Sequence, residues 1–183
     1  MDIVGVQFRN LATIGGSIFG RFGFSDVLTC FLAMDTYVEL YKGGILPLEE
    51  FVKMKRDKDI LVRVIVKKTG GRFAYLTHRN TKTDFPVLAV GIGDTVGKLV
   101  VTVGARPMEA MRVPVKSEWK TVLDGEICTA AEIEAIAKEM ASQVPTESNM
   151  RGSAEYRSHL AKVLIKRGLE RIREEKGLKE YAD

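Results

Sequence analysis

Arg9-Asn10-Leu11-Ala12-Thr13-Ile14-Gly15-Gly16-Ser17-Ile18 is the stretch on which the reading of this chain turns. It sets a glycine pair between two hydroxyl residues, just ahead of a segment with helical spacing. Glycines in such a loop are free to adopt positive φ and bring backbone N–H groups close to a ligand, a nest suited to pyrophosphate oxygens. Thr13 and Ser17 would add hydroxyl hydrogen bonds. The same residues also describe an ordinary Gly-Gly turn, because glycine pairs punctuate loops of every kind.

Downstream of the loop, Ser25 is placed to cap a helix through Asp26, Val27, Leu28, Phe31 and Leu32. TYVELYKGG (36–44) alternates like a strand and ends in a turn at Gly43 and Gly44. A short helix is expected around LEEFVKM, followed by a β-branched strand ILVRVIVK at 60–67. The turn Lys68-Thr69-Gly70-Gly71 separates residues 1–69 from residues 70–183, and the domain boundary is placed there. RFAYLTHR, the run from Val87 to Gly91, and KLVVTVG then read as strands of a small antiparallel sheet, with a hairpin turn around Gly93-Asp94 and Gly97.

The rest reads as helical. Thr129 and Glu132 form a capping-box pattern, with Ile133, Ile136, Ala137 and Met140 on one face behind it. A last helix starts near Ser153, carries Tyr156, Leu160, Val163, Leu164 and Ile172 as an apolar stripe, and is expected to stop at Gly177. A sheet followed by helices implies an α+β class.

Composition narrows the function. Apolar residues at 45% of 183 build a real core, while a net charge of +4 is too mild to demand nucleic acid and suits an anionic ligand such as a dinucleotide. Cys30 and Cys128 form no CxxC pair, and His78 and His159 lack metal-ligand spacing, so no protein-bound metal or iron–sulfur cluster is expected on this chain. Unpaired cysteines favour a reducing, cytoplasmic location. No apolar run reaches the length of a membrane helix, and the N-terminus lacks a signal-peptide pattern.

RNLATIGGSI resembles the RN-x-AT-x-GG-N/S-I motif of the FAD subunits, or FAD domains, of molybdenum hydroxylases such as xanthine dehydrogenase and carbon monoxide dehydrogenase. Further matches follow in order: Ser25-Asp26, LPLEEF, DILVRVIV, His78-Arg79 with Thr83-Asp84-Phe85, and RGSAEYRSHLAKVLIKRGLE. The resemblance implies the second lobe of a vanillyl-alcohol-oxidase-like FAD domain (1–69) and the family's C-terminal α+β domain (70–183). The first lobe, with its own glycine-rich pyrophosphate loop, would precede Met1 and is expected to be absent.

By the same resemblance, Thr13, Ile14, Gly15, Gly16 and Ser17 contact the phosphate and ribityl region of FAD, largely through backbone, and Asp26 hydrogen-bonds the cofactor. Ser17 stands where many relatives have asparagine. Ile3 and Leu61 fall where relatives set apolar residues against the flavin, and Leu76 stands where some have a lysine. Arg79 is read as holding the C-terminal domain against the flavin domain, as facing the cofactor, or as an exposed strand arginine, and Arg151 and Arg157 are assigned to domain packing or a subunit contact. No catalytic acid or base is required. The implied role is an electron-transfer subunit, or a fragment of one, that passes electrons from 2Fe-2S clusters through FAD to NAD or another acceptor. Its partners would be a molybdopterin-binding large subunit, a 2Fe-2S small subunit, and a separate chain if the first lobe is encoded apart. The alternative is a non-catalytic scaffold fragment that holds no flavin.

Overall fold

A computed structural model describes residues 5–95 and 97–180. The chain begins with two short helices, α1 (Val6–Leu11) and α2 (Ile14–Phe19), and continues into α3 (Asp26–Leu32). Then come β1 (Thr36–Leu40), β2 (Gly44–Pro47), α4 (Leu48–Lys53) and β3 (Leu61–Val66). These strands form an antiparallel sheet in the order β2-β1-β3. Val38 and Leu40 point from β1 into a core with Ile18, Leu28, Leu48 and Phe51, while Tyr37 and Glu39 face outward, the two-residue alternation of a half-buried strand. Strand β2 follows directly on the Gly43-Gly44 turn. It is too short, and too close to a proline, to show its own alternation.

After the turn at Gly70 and Gly71, where φ is +68° and +121°, a second antiparallel sheet runs β4 (Arg72–His78), β5 (Leu88–Thr95), β6 (Lys98–Gly104) and β7 (Met111–Val113). It is followed by α5 (Ser117–Asp124), α6 (Ala130–Ser142) and α7 (Ala154–Glu180). The capping box at Thr129 and Glu132 is present. The hairpin turn lies beyond Thr95, with Gly97 at φ +74°, because Gly93 and Asp94 stay within β5 opposite Val100 and Leu99. Helix α7 runs through Gly177 to Glu180, since a single glycine lowers helix propensity by only about 1 kcal/mol and does not by itself end a helix.

Strand β5 is buried along nearly its whole length because it is covered on both faces. Leu88, Val90 and Ile92 join Leu99, Val101 and Val103 of β6 in a core against α6 and α7. The opposite face carries Gly91, Gly93, Thr102 and Gly104, and α3 lies flat on it. A Cβ at Gly93 would collide with the carbonyl oxygen of Ala33, and one at Gly104 with the hydroxyl of Thr29. Thr102 Oγ1 donates to Thr29 O at 2.9 Å, a fully buried bond between the two halves of the chain. The N-terminal unit is thus tied to the sheet through α3, and this fixes the position of the residues at the N-terminus of that helix.

Candidate functional site

A groove of about 730 Å³ opens between α1, the start of α2, the N-terminal end of α3, and Phe85 from the segment joining β4 to β5. That volume lies within the ordinary range for ligand pockets, roughly 300–1,000 Å³, and the mix of apolar walls with a few polar groups is of the same kind.

Its polar end is built by the glycine pair, though not as a loop. Gly15 and Gly16 are the second and third residues of α2, and neither has a positive φ. Thr13 is the N-cap, and its hydroxyl accepts the Gly16 amide at 3.0 Å. The cap supplies a local acceptor, so the segment closes into a helical turn where a left-handed nest was expected. The amides of Ile14 and Gly15 precede any intrahelical acceptor. Gly16 keeps the wall open: a Cβ there would stand 3.0 Å from Thr13 Oγ1. Ser17 also lines the groove, and its carbonyl accepts the Ser25 hydroxyl at 3.1 Å, which joins α2 to the cap of α3.

Asp26 lines the groove although it is almost wholly buried. Its Oδ1 accepts Tyr75 Oη and Arg79 Nη2, each at 2.5 Å. Burial raises the carboxyl pKa, and Tyr75 and Arg79 pull it part of the way back. Burial and the Asp26 charge push Tyr75 well up, so the phenol stays a neutral donor. Both contacts fall on Oδ1, and Oδ2 keeps its acceptor capacity. Arg79 Nη1 also donates to Asp84 O at 2.6 Å, while Asp84 accepts the Phe85 amide at 2.7 Å and pairs with Arg151 at 3.0 Å. Arg151 foremost, and then the Phe85 amide, hold the Asp84 carboxyl below its usual range. Arg79, Asp84 and Arg151 together set Phe85 at the rim of the groove.

The residues expected at the site divide into three groups. Thr13, Ile14, Gly16, Ser17 and Asp26 come together on the groove wall. Gly15 and Leu61 lie behind it, where a Cβ on Gly15 would sit 3.9 Å from Leu61 Cδ2, and Leu61 packs against the first core. Ile3 lies outside the described residues. Leu76 faces α7, with its Cδ1 3.1 Å from where a Cβ on Gly168 would be, on the opposite side of β4 from Tyr75. Its substitution for a lysine therefore does not touch the groove. Arg157 is buried and donates to Val87 O at 2.9 Å and to Glu147 O at 2.7 Å, within the C-terminal half. Sequence reasoning did not place Phe8, Phe22, Phe24 or Phe85 at the site, although all four line it. The RFGF repeat of aromatic residues around Gly23 was the available signal.

The donor set fits a flavin nucleotide. Hydroxyls and free amides at the head of α2 suit phosphate oxygens, the missing side chain at Gly16 leaves room for close approach, and the aromatic walls suit a planar ring. Among the described residues there is no cluster of three His, Cys, Asp or Glu side chains able to hold a metal ion, and no helix long and apolar enough to cross a membrane.

The fold and groove define a class: an FAD-domain unit docked through a helix onto a four-stranded antiparallel sheet backed by helices. Residues 1–68 match the FAD binding domain in molybdopterin dehydrogenase, and residues 73–172 match the CO dehydrogenase flavoprotein C-terminal domain. The chain belongs to the FAD-binding, medium-subunit family of CO dehydrogenases and related molybdenum hydroxylases.

Solved structures with the same fold include quinoline 2-oxidoreductase from Pseudomonas putida 86, at TM-score 0.79 and 16% identity over 94% of this chain and 64% of that one. A carbon monoxide dehydrogenase from Hydrogenophaga pseudoflava that lacks the Mo-pyranopterin moiety of its molybdenum cofactor gives 0.78 and 19% over 93% and 63%. Reconstituted CO dehydrogenase from Oligotropha carboxidovorans gives 0.72 and 22% over 93% and 64%. The chain thus spans a little under two thirds of the length of these relatives. No curated protein sequence matches it.

Proposed function

We infer that this chain is the flavin-carrying part of a molybdenum hydroxylase, an electron-transfer component that holds FAD in the groove between α2 and α3. The observation that carries this reading is the convergence of Thr13, Gly16, Ser17 and Asp26 on one wall of a groove large enough for a nucleotide. Bound FAD supplies the redox chemistry, accepting electrons one at a time and giving them up as a pair. The protein binds and orients. Thr13, Ile14, Gly15, Gly16 and Ser17 receive the phosphate and ribityl region at the head of α2, Asp26 accepts a hydrogen bond through its open oxygen, and Ile3 and Leu61 back the ring region.

In this reading residues 1–69 and 70–183 are its two domains, and the assembly works in the cytoplasm. A molybdopterin-binding large subunit and a 2Fe-2S small subunit are its partners, and NAD or another acceptor takes the electrons. The part of the FAD site contributed by the remaining third of the relatives' length lies on polypeptide outside these residues, in the same chain or a separate one.

A second reading, a scaffold that holds no flavin, is favoured by one observation: Asp26 already accepts two hydrogen bonds from its own chain. The two separate in one experiment. The chain is purified alone and together with the polypeptide encoded next to it, and flavin absorbance is recorded. Colour in either preparation supports electron transfer, and two colourless preparations support the scaffold.

A further inference from the structure

Four phenylalanines from three separate segments of the sequence form a continuous ladder along one side of the groove. Phe22 and Phe24 stack with centroids 5.3 Å apart and planes 7° from parallel. Phe24 meets Phe85 at 4.3 Å, and Phe85 meets Phe8 edge-on at 5.5 Å. The rings remain open to the groove: Phe22 is 46% exposed, Phe24 41% and Phe8 53%. Exposed phenylalanines on a soluble domain are ordinarily scattered, and a contiguous wall of them marks a binding surface.

The wall is held rigidly. Arg21, between the helices α2 and α3, adopts φ +47°, a left-handed conformation uncommon outside glycine, and its guanidinium lies 3.9 Å over the Phe51 ring in the core. Arg21 Nη1 donates to Met54 O at 3.0 Å. Gly23 is pressed against Met108, where a Cβ would collide with the carbonyl oxygen, and its own carbonyl accepts the Ala105 amide at 2.6 Å. The Ser25 amide closes the turn onto Phe22 O at 2.9 Å. A backbone conformation strained at Arg21 and anchored at three points persists only where its surroundings over-determine it, and such sites cluster at ligand clamps.

We propose that this ladder is the stacking platform for the isoalloxazine ring, a contact surface in addition to the residues named above. The inference rests on the flavin reading of the groove. Three features select this occupant. The ladder presents ring faces and edges without a neutral hydrogen-bonding side chain, which suits the dimethylbenzene half of a flavin better than the polar edge of a purine. Arg56 sits 5.4 Å over Phe22, and Arg151, paired with Asp84, sits 5.5 Å over Phe85, so the Phe22 end of the wall is positive and complements an anionic cofactor. Thr13, Gly16 and Ser17 line the same groove, within reach of the phosphate side of the same molecule.

The test is equilibrium dialysis of the chain, alone and together with the polypeptide encoded next to it, against riboflavin, FMN, FAD and ADP, for the native protein and for Phe24→Leu and Phe8→Leu. Loss of one stacking face weakens FMN and FAD roughly tenfold in Phe24→Leu and by about threefold in Phe8→Leu, with ADP unchanged. Unchanged FMN affinity in both variants overturns the platform, and weakening of ADP in place of FMN overturns the isoalloxazine assignment in favour of adenine. If Phe24→Leu fails to fold, Phe8→Leu at the open rim decides alone. A native chain that binds none of the four ligands either alone or together with the polypeptide encoded next to it overturns the flavin reading itself, and the platform with it.

Discussion

Arg79 Nη2 lies 2.5 Å from Asp26 Oδ1, with the arginine side chain 8% and the aspartate 2% exposed, so one buried ion pair joins the N-terminus of α3 to the end of β4. The pair closes the seam that α3 makes with the sheet, and it orients a carboxylate on the groove wall. A buried pair adds little net stability over a well-packed apolar pair, but leaving one partner alone is costly.

Arg79→Met is therefore expected to destabilise the chain by about 3 kcal/mol at neutral pH in a denaturant titration. The deficit has a pH signature. Removing Arg79 raises the folded-state pKa of Asp26 further, so the folded chain binds a proton that the unfolded chain releases, and stability falls as pH rises. The deficit should shrink as pH is lowered from 7 toward about 4. A deficit equal at both ends of that range would show that the carboxylate is not the group left stranded.

The flat contact between α3 and β5 gives a second outcome. Gly93→Ala drives a Cβ into the backbone of Ala33, which cannot yield as a flexible side chain would, and should cost about 3 kcal/mol. Gly97→Ala, at φ +74° with open space around it, should cost only about 1 kcal/mol from backbone strain. Thermal unfolding of the two variants side by side measures the difference. Equal losses would mean that the helix does not press on the sheet.

Glu134 on α6 receives Lys162 at 2.8 Å and Lys166 at 3.0 Å from α7, and these hydrogen bonds hold its carboxyl at about 2. Because the folded pKa is depressed, the contribution is fully present above the ordinary value of about 4.5 and is lost as pH falls through about 2. The groups are half-exposed to solvent, so the effect is small. Urea midpoints should fall less steeply between these pH values in Glu134→Gln than in the native chain. Parallel curves would remove the cross-helix pair from the account.

Much of this architecture is legible from local pattern. The β-branched run of β3, the Ser25 cap and the Thr129–Glu132 box are each specified within a few residues, and each forms as read. What escapes is set by distant contacts. Strand β7 has three residues and exists because β6 lies beside it, and α5 buries only Trp119 fully, so neither leaves a strong periodic trace. The glycine pair reads as a loop because glycine disfavours helix, but the Thr13 cap and two neighbouring elements outweigh that preference. Of the groove, the polar wall was legible since Thr13 to Ser17 are contiguous. The clamp on Asp26 was not, because its partners stand 49 and 53 residues away. The aromatic wall draws on positions 8, 22, 24 and 85 and becomes one surface only when α3 docks on the sheet.

The central claim is that the head of α2 cradles a flavin nucleotide, and Gly16→Val tests it most directly. The branched side chain displaces the Thr13 hydroxyl and fills the groove wall, while the sheet and α6–α7 core lie elsewhere. Flavin retention is measured on the native chain and the variant in the complete assembly, alongside unfolding of the C-terminal half. The account predicts loss of flavin with that unfolding transition unchanged. Undiminished flavin in a folded Gly16→Val protein would contradict it.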